Sequence, residues 1–392
     1  VSPAVTQAQI AYQGCSQAPA TCTIPRFVAG PERRFGEWPI VGGDKVWWMR
    51  AAEKTGPKLQ KLTELFTGKA YLLIIIQDNP DPDCIASAVA LRRLANSLAN
   101  LQCSIACSGT VGRGENRALV KYLGLNLRNC GEIDYSKFDL LATVDTQPGT
   151  GNNSLPAQLL PNIAIDHHPI RRLTRAVPFT DIRSGYGSTS TIFVEYLIEA
   201  GITPDTPLAT ALLYGIRSDT QDLGREATRA DVEAIQFLYP FANKRMLSVI
   251  QRGKVPRVYY QMLADALRNA RVQGPAIITE LGEIDNPDMI AEVADLLLRE
   301  DETTWTMCTG RWNDKLLISI RTSEESNVAE DVMKRMVFRK GTGGGHLTYA
   351  GGQVPLADKT KAERQEIEKH VEEKFLKAIG AETATNARLV KA

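Results

Sequence analysis

The sequence predicts an α/β protein built as a parallel β-sheet flanked by helices, followed by a smaller α/β domain. Three observations predict it. Short apolar runs alternate with helical patterns from about residue 60 to 235, the βαβ rhythm of a parallel sheet. Strand-like alternation returns near residue 271, after a purely helical stretch. The 392 residues also exceed a single domain of roughly 150.

Residues 1–48 have little periodicity and many Gly, Pro and Gln. They are expected to be a poorly ordered extension, or sequence upstream of a true start at Met49. They lack the charged start and apolar run of a secretory signal. An amphipathic helix then begins, with a break expected at Gly56-Pro57. The run YLLIIIQ (71–77) reads as a strand covered on both faces. A helix over 85–98, a strand over 104–107, a helix over 115–123, and strands at 139–145 and 162–168 follow. Helices over 188–200 and 207–214 complete a domain spanning 49–235, with helices expected on both faces of its sheet.

Residues 236–270 read as a helical linker, interrupted at Pro240. The second domain, 271–392, has strand patterns at 276–282, 304–312 and 315–323. The first of these is followed by a helix at 289–299, and WNDK (312–315) is a hairpin turn. A helix at 328–336 leads to a glycine run, 341–345, expected to be a loop that lets backbone approach a ligand closely. A charged amphipathic helix and a frayed tail beyond Glu382 end the chain.

Lys and Arg number 46 against 45 Asp and Glu, which excludes a bulk polybasic nucleic-acid binder. No apolar run reaches the roughly 18 residues of a membrane span. The seven cysteines are scattered through apolar contexts, which suits free thiols in a reducing cytoplasm, and cytoplasmic localisation is the expectation.

The chemistry lies at the strand ends. Asp81 and Asp83 follow the first strand, Asp145 ends the third, and Asp166, His167 and His168 end the fourth; Asp219 follows the helix at 207–214. A single Asp in such a place is usually a helix cap. Gathered at one rim, these groups would repel and raise each other's pKa values, and divalent cations would keep them ionised. Asp and His donors without Cys favour Mn²⁺ or Mg²⁺, with Zn²⁺, Fe²⁺ and Co²⁺ as alternatives. Ser188 reads as the N-cap of the helix after it. Arg217 lies near the same rim and could pair with a carboxylate or touch substrate.

DNPDPDCIASA (78–88), VDTQ (144–147), DHHP (166–169) and GIRSDT (215–220) resemble, in order and spacing, the four motifs of DHH-family phosphoesterases. GGGHLTYAGG (343–352) resembles the glycine-rich motif of the DHHA1 domain that accompanies them. The nano-RNase/pAp-phosphatase branch is the nearest in its compact two-domain layout. The resemblance implies an active site in the interdomain cleft and two-metal activation of water. It implies that Asp145 bridges two ions, that Asp81 binds the first, and that Asp83, His167 and Asp219 bind the second. His168 would assist at the substrate phosphate, with Asp166 orienting an imidazole. Ser188, Arg217, Arg321, Gly343, Gly344, Gly345 and His346 would contact substrate. Gln77 stands where the family usually has a histidine ligand, and as an amide it would hold the first ion more weakly.

The implied substrates are short oligonucleotides or 3′-phosphoadenosine 5′-phosphate, with Mn²⁺ first and Mg²⁺ second among the cations. A homodimer is implied by analogy. Cleavage of a cyclic dinucleotide or polyphosphate is the alternative within the family. A nucleotide-binding regulatory protein, weakened at Gln77, is the alternative outside catalysis.

Overall fold

The computed structural model describes residues 47–324, 328–337, 339–345 and 347–390, with side chains from Lys54 onward. Residues 1–46 of the expected extension, and His346, lie outside the described residues. Helix α1, Trp47–Phe66, continues through Gly56-Pro57, where a break was expected. Thr55 and Lys58 anchor the helix on either side of that pair, through Glu195 and Asp181.

The first sheet contains β1 (Tyr71–Ile75), β2 (Gln102–Cys107), β3 (Arg128–Asn129), β4 (Leu140–Val144), β5 (Ile163–Asp166) and β6 (Phe179–Ile182). Its order is β3-β2-β1-β4-β5-β6, and every pair is parallel. The first two strands are joined by α2 (Pro82–Ala99), and α3 (Gly114–Tyr122) leads toward β3. After β6 come α4 (Thr189–Glu199), α5 (Thr206–Asp219), α6 (Arg229–Leu238) and α7 (Lys244–Gln251). The strand order reverses between β1 and β4, so a crevice opens beyond their carboxyl ends, the usual ligand position in such sheets.

The helices bury one face of the sheet. Leu72, Ile74 and Ile76 pack with side chains from α1 through α7. The opposite face, with Leu73 and Ile75, is covered by Cys130, Ile133, Tyr135, Phe138 and Leu155. Short turns therefore take the place of the second helical layer that was expected there.

The helix α8 (Arg257–Asn269) opens the second domain, followed by β7 (Arg271–Gln273), β8 (Ala276–Glu283), α9 (Met289–Leu297), β9 (Trp305–Trp312) and β10 (Lys315–Thr322). Then come α10 (Ala329–Val337), β11 (Thr342–Gly345), β12 (Tyr349–Pro355), α11 (Lys361–Ala378) and β13 (Asn386–Arg388). The sheet order is β11-β12-β10-β9-β8-β7-β13. Among the described residues only β8 and β9 of this sheet pair in parallel, joined by a crossover through α9; the other pairs are antiparallel. Asn313 and Asp314 both have positive φ, 45° and 55°, the type I′ geometry expected of the WNDK hairpin. One face packs under α10 and α11 through Met333 and Phe375, and the other under α8 and α9 through Ala266 and Val293.

The stretch 236–270 divides between the two cores: Leu247 and Ile250 of α7 join the first, while α8 joins the second. The tail beyond Glu382, expected to fray, supplies β13, which pairs with β7. The glycine run is likewise strand: β11 pairs with β12. A Cβ at Gly343 or Gly352 would collide with Met333, so these glycines let α10 lie close on the sheet. A Cβ at Gly344 would meet nothing within 4 Å.

Candidate metal centre

Four chain segments converge beyond the carboxyl ends of β1, β4 and β5. The helix α2 begins at Pro82 with Asp81 as its N-cap, whose Oδ1 accepts the Cys84 amide at 2.9 Å. The cap occupies only one oxygen: Oδ2 of Asp81 faces Gln77 Nε2 at 3.5 Å. Asp83, in the first turn, is buried. Its Oδ2 accepts the Thr189 amide at 2.7 Å and its Oδ1 accepts the Ser190 amide at 2.8 Å. The N-terminus of α4 therefore spends its free amides on a protein carboxylate, as its dipole favours.

Asp145 lies just beyond β4 with φ 56°, a left-handed conformation uncommon outside glycine. The Thr189 hydroxyl donates to its Oδ1 at 2.7 Å, and Gln77 Nε2 donates to its Oδ2 at 2.8 Å and its carbonyl at 3.2 Å. His167 Nε2 is 3.0 Å from Asp219 Oδ2 and 3.7 Å from Asp145 Oδ1. His167 Nδ1 lies 3.1 Å from the Tyr186 carbonyl. Asp219 arrives as the last residue of α5, which crosses α2 closely. Gly215 makes that crossing possible, since a Cβ there would meet Ser190 Oγ at 2.5 Å and Asp83 Cα at 3.1 Å.

His168 is held differently. Its Nδ1 is 2.8 Å from Asp166 Oδ1. Asp166 Oδ2 accepts Gln147 Nε2 at 2.7 Å. Gln147 Oε1 accepts the Arg171 amide and the Thr174 hydroxyl, both at 2.8 Å. Asp166 thus orients the second imidazole, and its carboxylate also lies with Asp145, His167 and His168 in a group whose ligand atoms are within 4.8 Å of one another.

Burial and mutual repulsion dominate the titration of the clustered acids. Burial, then Asp219, pushes the Asp83 carboxyl up to about 7, against the pull of His167. Burial, then Asp83 and Asp81, holds Asp145 well above the usual range. Asp81 is raised by burial and Asp219. Burial works against Asp166 too, but His168 beside it holds that carboxyl down to about 2. His167, despite burial, is raised well above its usual value by Asp219. Such a set suits divalent cations. Ligand atoms of Asp83, His167 and Asp219 all lie within 4.8 Å of one another, as do those of Asp81, Asp145 and Cys84. The Cys84 thiol, which sequence reading left out, donates to the Asp81 carbonyl at 3.3 Å. Burial and the neighbouring acids push it well above its usual pKa.

The other sequence candidates divide. Gln77 reaches the acids, but as placed it gives them its N–H rather than its carbonyl oxygen. Ser188 is fully buried and accepts the Thr191 amide at 3.2 Å, so its hydroxyl serves as a helix cap. Arg217 pairs with Asp222 at 2.5 Å. Arg321 donates from Nε to Asp295 at 2.5 Å and from Nη1 to Ser319 Oγ at 2.8 Å. Arg321 and Tyr349 are register partners across β10 and β12, which leaves β12 between the arginine and the glycine strand β11. Gln147 and Thr189 support the site without having been singled out. Gln147 sits in the second motif, VDTQ, and only its complete burial reveals what it does.

The pattern described as "DHH family, N-terminal domain" matches residues 72–216, and "DHHA1 domain" matches residues 273–375. The chain is 37% identical over 332 residues to the uncharacterized protein MJ1633 of Methanocaldococcus jannaschii. That alignment covers 82% of this chain and 66% of that protein. Among solved structures, an exopolyphosphatase-related protein from Bacteroides fragilis superposes with a TM-score of 0.62 at 15% identity, over 83% of this chain and 98% of that one. RecJ in complex with Mn²⁺ from Thermus thermophilus gives a TM-score of 0.45 at 15% identity, over 84% of this chain and 55% of that one.

Proposed function

Because the chain belongs to the DHH family and carries a DHHA1 domain behind the first domain, we propose that it is a metal-dependent phosphoester hydrolase. Its proposed substrates are short oligonucleotides, 3′-phosphoadenosine 5′-phosphate, or both. One observation carries the reading: Asp83, His167 and Asp219, from three separate segments, present ligand atoms within 4.8 Å of one another, with Asp145 Oδ1 3.7 Å from the same imidazole.

Asp81 and Asp145 would hold one ion, and Asp83, Asp145, His167 and Asp219 the other, with Mn²⁺ the preferred cation and Mg²⁺ the second. Bound there, such ions supply charge to phosphate oxygens and acidify water. The protein's own groups do the rest. Asp145, fixed by Thr189 and Gln77, would serve as a ligand to both ions. With Nδ1 committed to Asp166, His168 would use Nε2 to carry a proton to the leaving oxygen. Arg321, the Gly343–Gly345 strand and His346 would hold the far end of the substrate, an arginine fork suiting phosphate. A charge-balanced chain suits small ligands better than long strands. Among the described residues, no helix is long and apolar enough to cross a membrane.

Purified chain should be assayed with Mn²⁺ on pApA, 3′-phosphoadenosine 5′-phosphate, cyclic di-AMP and polyphosphate. Preferential cleavage of either of the first two, abolished by EDTA, is the expected result. Preference for cyclic di-AMP or polyphosphate would move the substrate within the family. Nucleotide binding without any Mn²⁺-stimulated hydrolysis would replace the enzyme reading with a regulatory one.

A further inference from the structure

We propose that Arg225 is a positioning residue that ties the seating of the second domain to the hold of Asp219 on an ion. The proposal rests on reading Asp83, His167 and Asp219 as a metal site. It starts from the backbone after α5. Gln221, Asp222 and Leu223 have φ of 47°, 57° and 70°, and Glu226 has φ of 48°. Three consecutive non-glycine residues in the left-handed region persist only where surrounding contacts enforce them.

Those contacts are specific. Arg217 Nε donates to Asp222 Oδ1 at 2.5 Å, and the Leu223 amide donates to the Thr220 hydroxyl at 3.1 Å. The Arg225 amide donates to the Thr220 carbonyl at 2.9 Å. The Arg225 guanidinium then turns back, and Nη2 donates to the Asp219 carbonyl at 2.7 Å. The same guanidinium also reaches the second domain: its central carbon lies 4.2 Å from the Tyr349 ring centre, at the start of β12. Arg321 on β10 stands 5.6 Å from the same ring and is fixed by Asp295.

A continuous line of contacts therefore runs from the backbone carbonyl of Asp219 through Arg225, Tyr349 and Arg321 to Asp295, linking the residue that carries a proposed ligand to the sheet of the second domain. Tyr349 gives Arg225 an aromatic face to stack on, an interaction that strengthens when water is excluded. With that face withdrawn, Arg225 loses the support that aims it at the Asp219 carbonyl. The strained turn can then relax and carry the Asp219 carboxylate away from His167. The site would be complete only while the two domains are seated together.

The test uses the full chain and titrates Mn²⁺ by the electron paramagnetic resonance of the free ion. The expected result is that Tyr349→Ala and Arg225→Met weaken Mn²⁺ binding about tenfold, the usual effect of removing a support behind a ligand. Tyr349→Phe, which keeps the ring, should bind as the parent does. Thermal midpoints in EDTA establish that each variant is folded, and Arg225→Met, on a partly exposed turn, decides the matter if Tyr349→Ala does not fold. Asp219→Asn serves as the reference. If Asp219→Asn loses affinity while Arg225→Met and Tyr349→Ala keep it, the positioning role is overturned, whatever happens to hydrolysis. If Asp219→Asn also binds as the parent does, the metal-site reading fails and this proposal falls with it.

Discussion

His167 Nδ1 lies 3.1 Å from the carbonyl oxygen of Tyr186, so a backbone group in the turn before α4 sets the angle of an imidazole in the candidate metal centre. That turn is fastened by a buried ion network. Arg183 forks onto Asp181 and also reaches Glu195. The Tyr186 hydroxyl donates to Glu195 at 2.9 Å. Lys58 and Thr55 of α1 close the network on Asp181 and Glu195. Support behind a ligating histidine fixes both its tautomer and its orientation.

Replacing Arg183 with Met should therefore act twice. It takes a cation from two buried carboxylates that keep Lys58 and Tyr196, or Thr55 and Tyr186, as partners, so the loss should be at most the about 3–5 kcal/mol that follows when a buried charge is left unpaired. It also frees the turn carrying Tyr186. Urea denaturation in EDTA should show the stability loss, and Mn²⁺ titration should show weaker binding in the protein that remains folded. A variant of parental stability would mean that the network contributes nothing to the fold.

The pH dependence has a definite sign. Asp83 titrates near 7 in the folded chain, against 3.8 for an ordinary Asp, so the folded state binds its proton more tightly. Its contribution to stability is full below about pH 4 and is lost as pH rises through about 7, at no more than about 1.4 kcal/mol per pH unit. Asp81 and Asp145 are shifted the same way. Asp166 has the opposite sign: depressed to about 2, it contributes above about pH 4 and is lost as pH falls toward 2. The urea midpoint of EDTA-treated protein should therefore fall between about pH 5 and pH 7.5. Mn²⁺ should cancel the fall, because the ion replaces the proton. A flat profile in EDTA would contradict the buried, mutually repelling cluster.

Asp145→Asn should separate chemistry from folding. The amide keeps the shape but removes a charge that Asp83 and Asp81 oppose. Hydrolysis should fall to background, while the thermal midpoint in EDTA stays level or rises. Turnover near the parental rate would refute the shared role of this carboxylate.

Gly112 offers a handle on the domain contact. Asn286 Nδ2 donates to its carbonyl at 2.9 Å, and the next amide, Arg113, donates to Asp288 Oδ2 at 3.0 Å. A Cβ at 112 would collide with Asn286 Oδ1 and Asp288 Oδ2. Gly112→Val should push these segments apart, raising KM severalfold and increasing the radius of gyration in X-ray scattering. Unchanged scattering and KM would show that the contact does not hold the domains.

Much of this arrangement is legible in the sequence, because strands and their ends are local patterns. YLLIIIQ announces β1, and the acids after it fall where a parallel sheet places ligands. What the sequence hides is pairing and support. The edge strand at Asn386–Arg388 has no apolar pattern of its own and exists only because β7 is there to receive it. The glycine run looks like a loop until β12 pairs with it. Gly215 is unremarkable in GIRSDT until α2 crosses α5 beside it. Ser188 and Asp81 both read as caps and both are, yet only Asp81 keeps an oxygen for the cluster.

Gln77 poses the sharpest question about metal content. Its Nε2 donates to Asp145 Oδ2 at 2.8 Å and faces Asp81 Oδ2 at 3.5 Å. The amide thus partly offsets the charge of the two acids that would hold the first ion, and an ion entering there must break those hydrogen bonds. An imidazole would instead offer a lone pair. Gln77→His should therefore convert one weak class of Mn²⁺ sites into a tight one, strengthening it by about tenfold or more, given that imidazole is the stronger donor for such ions. Paramagnetic titration should show one tight and one weak Mn²⁺ in the parent and two tight ions in the variant, with little change in the second class. Superimposable isotherms would mean that Gln77 does not govern the first site.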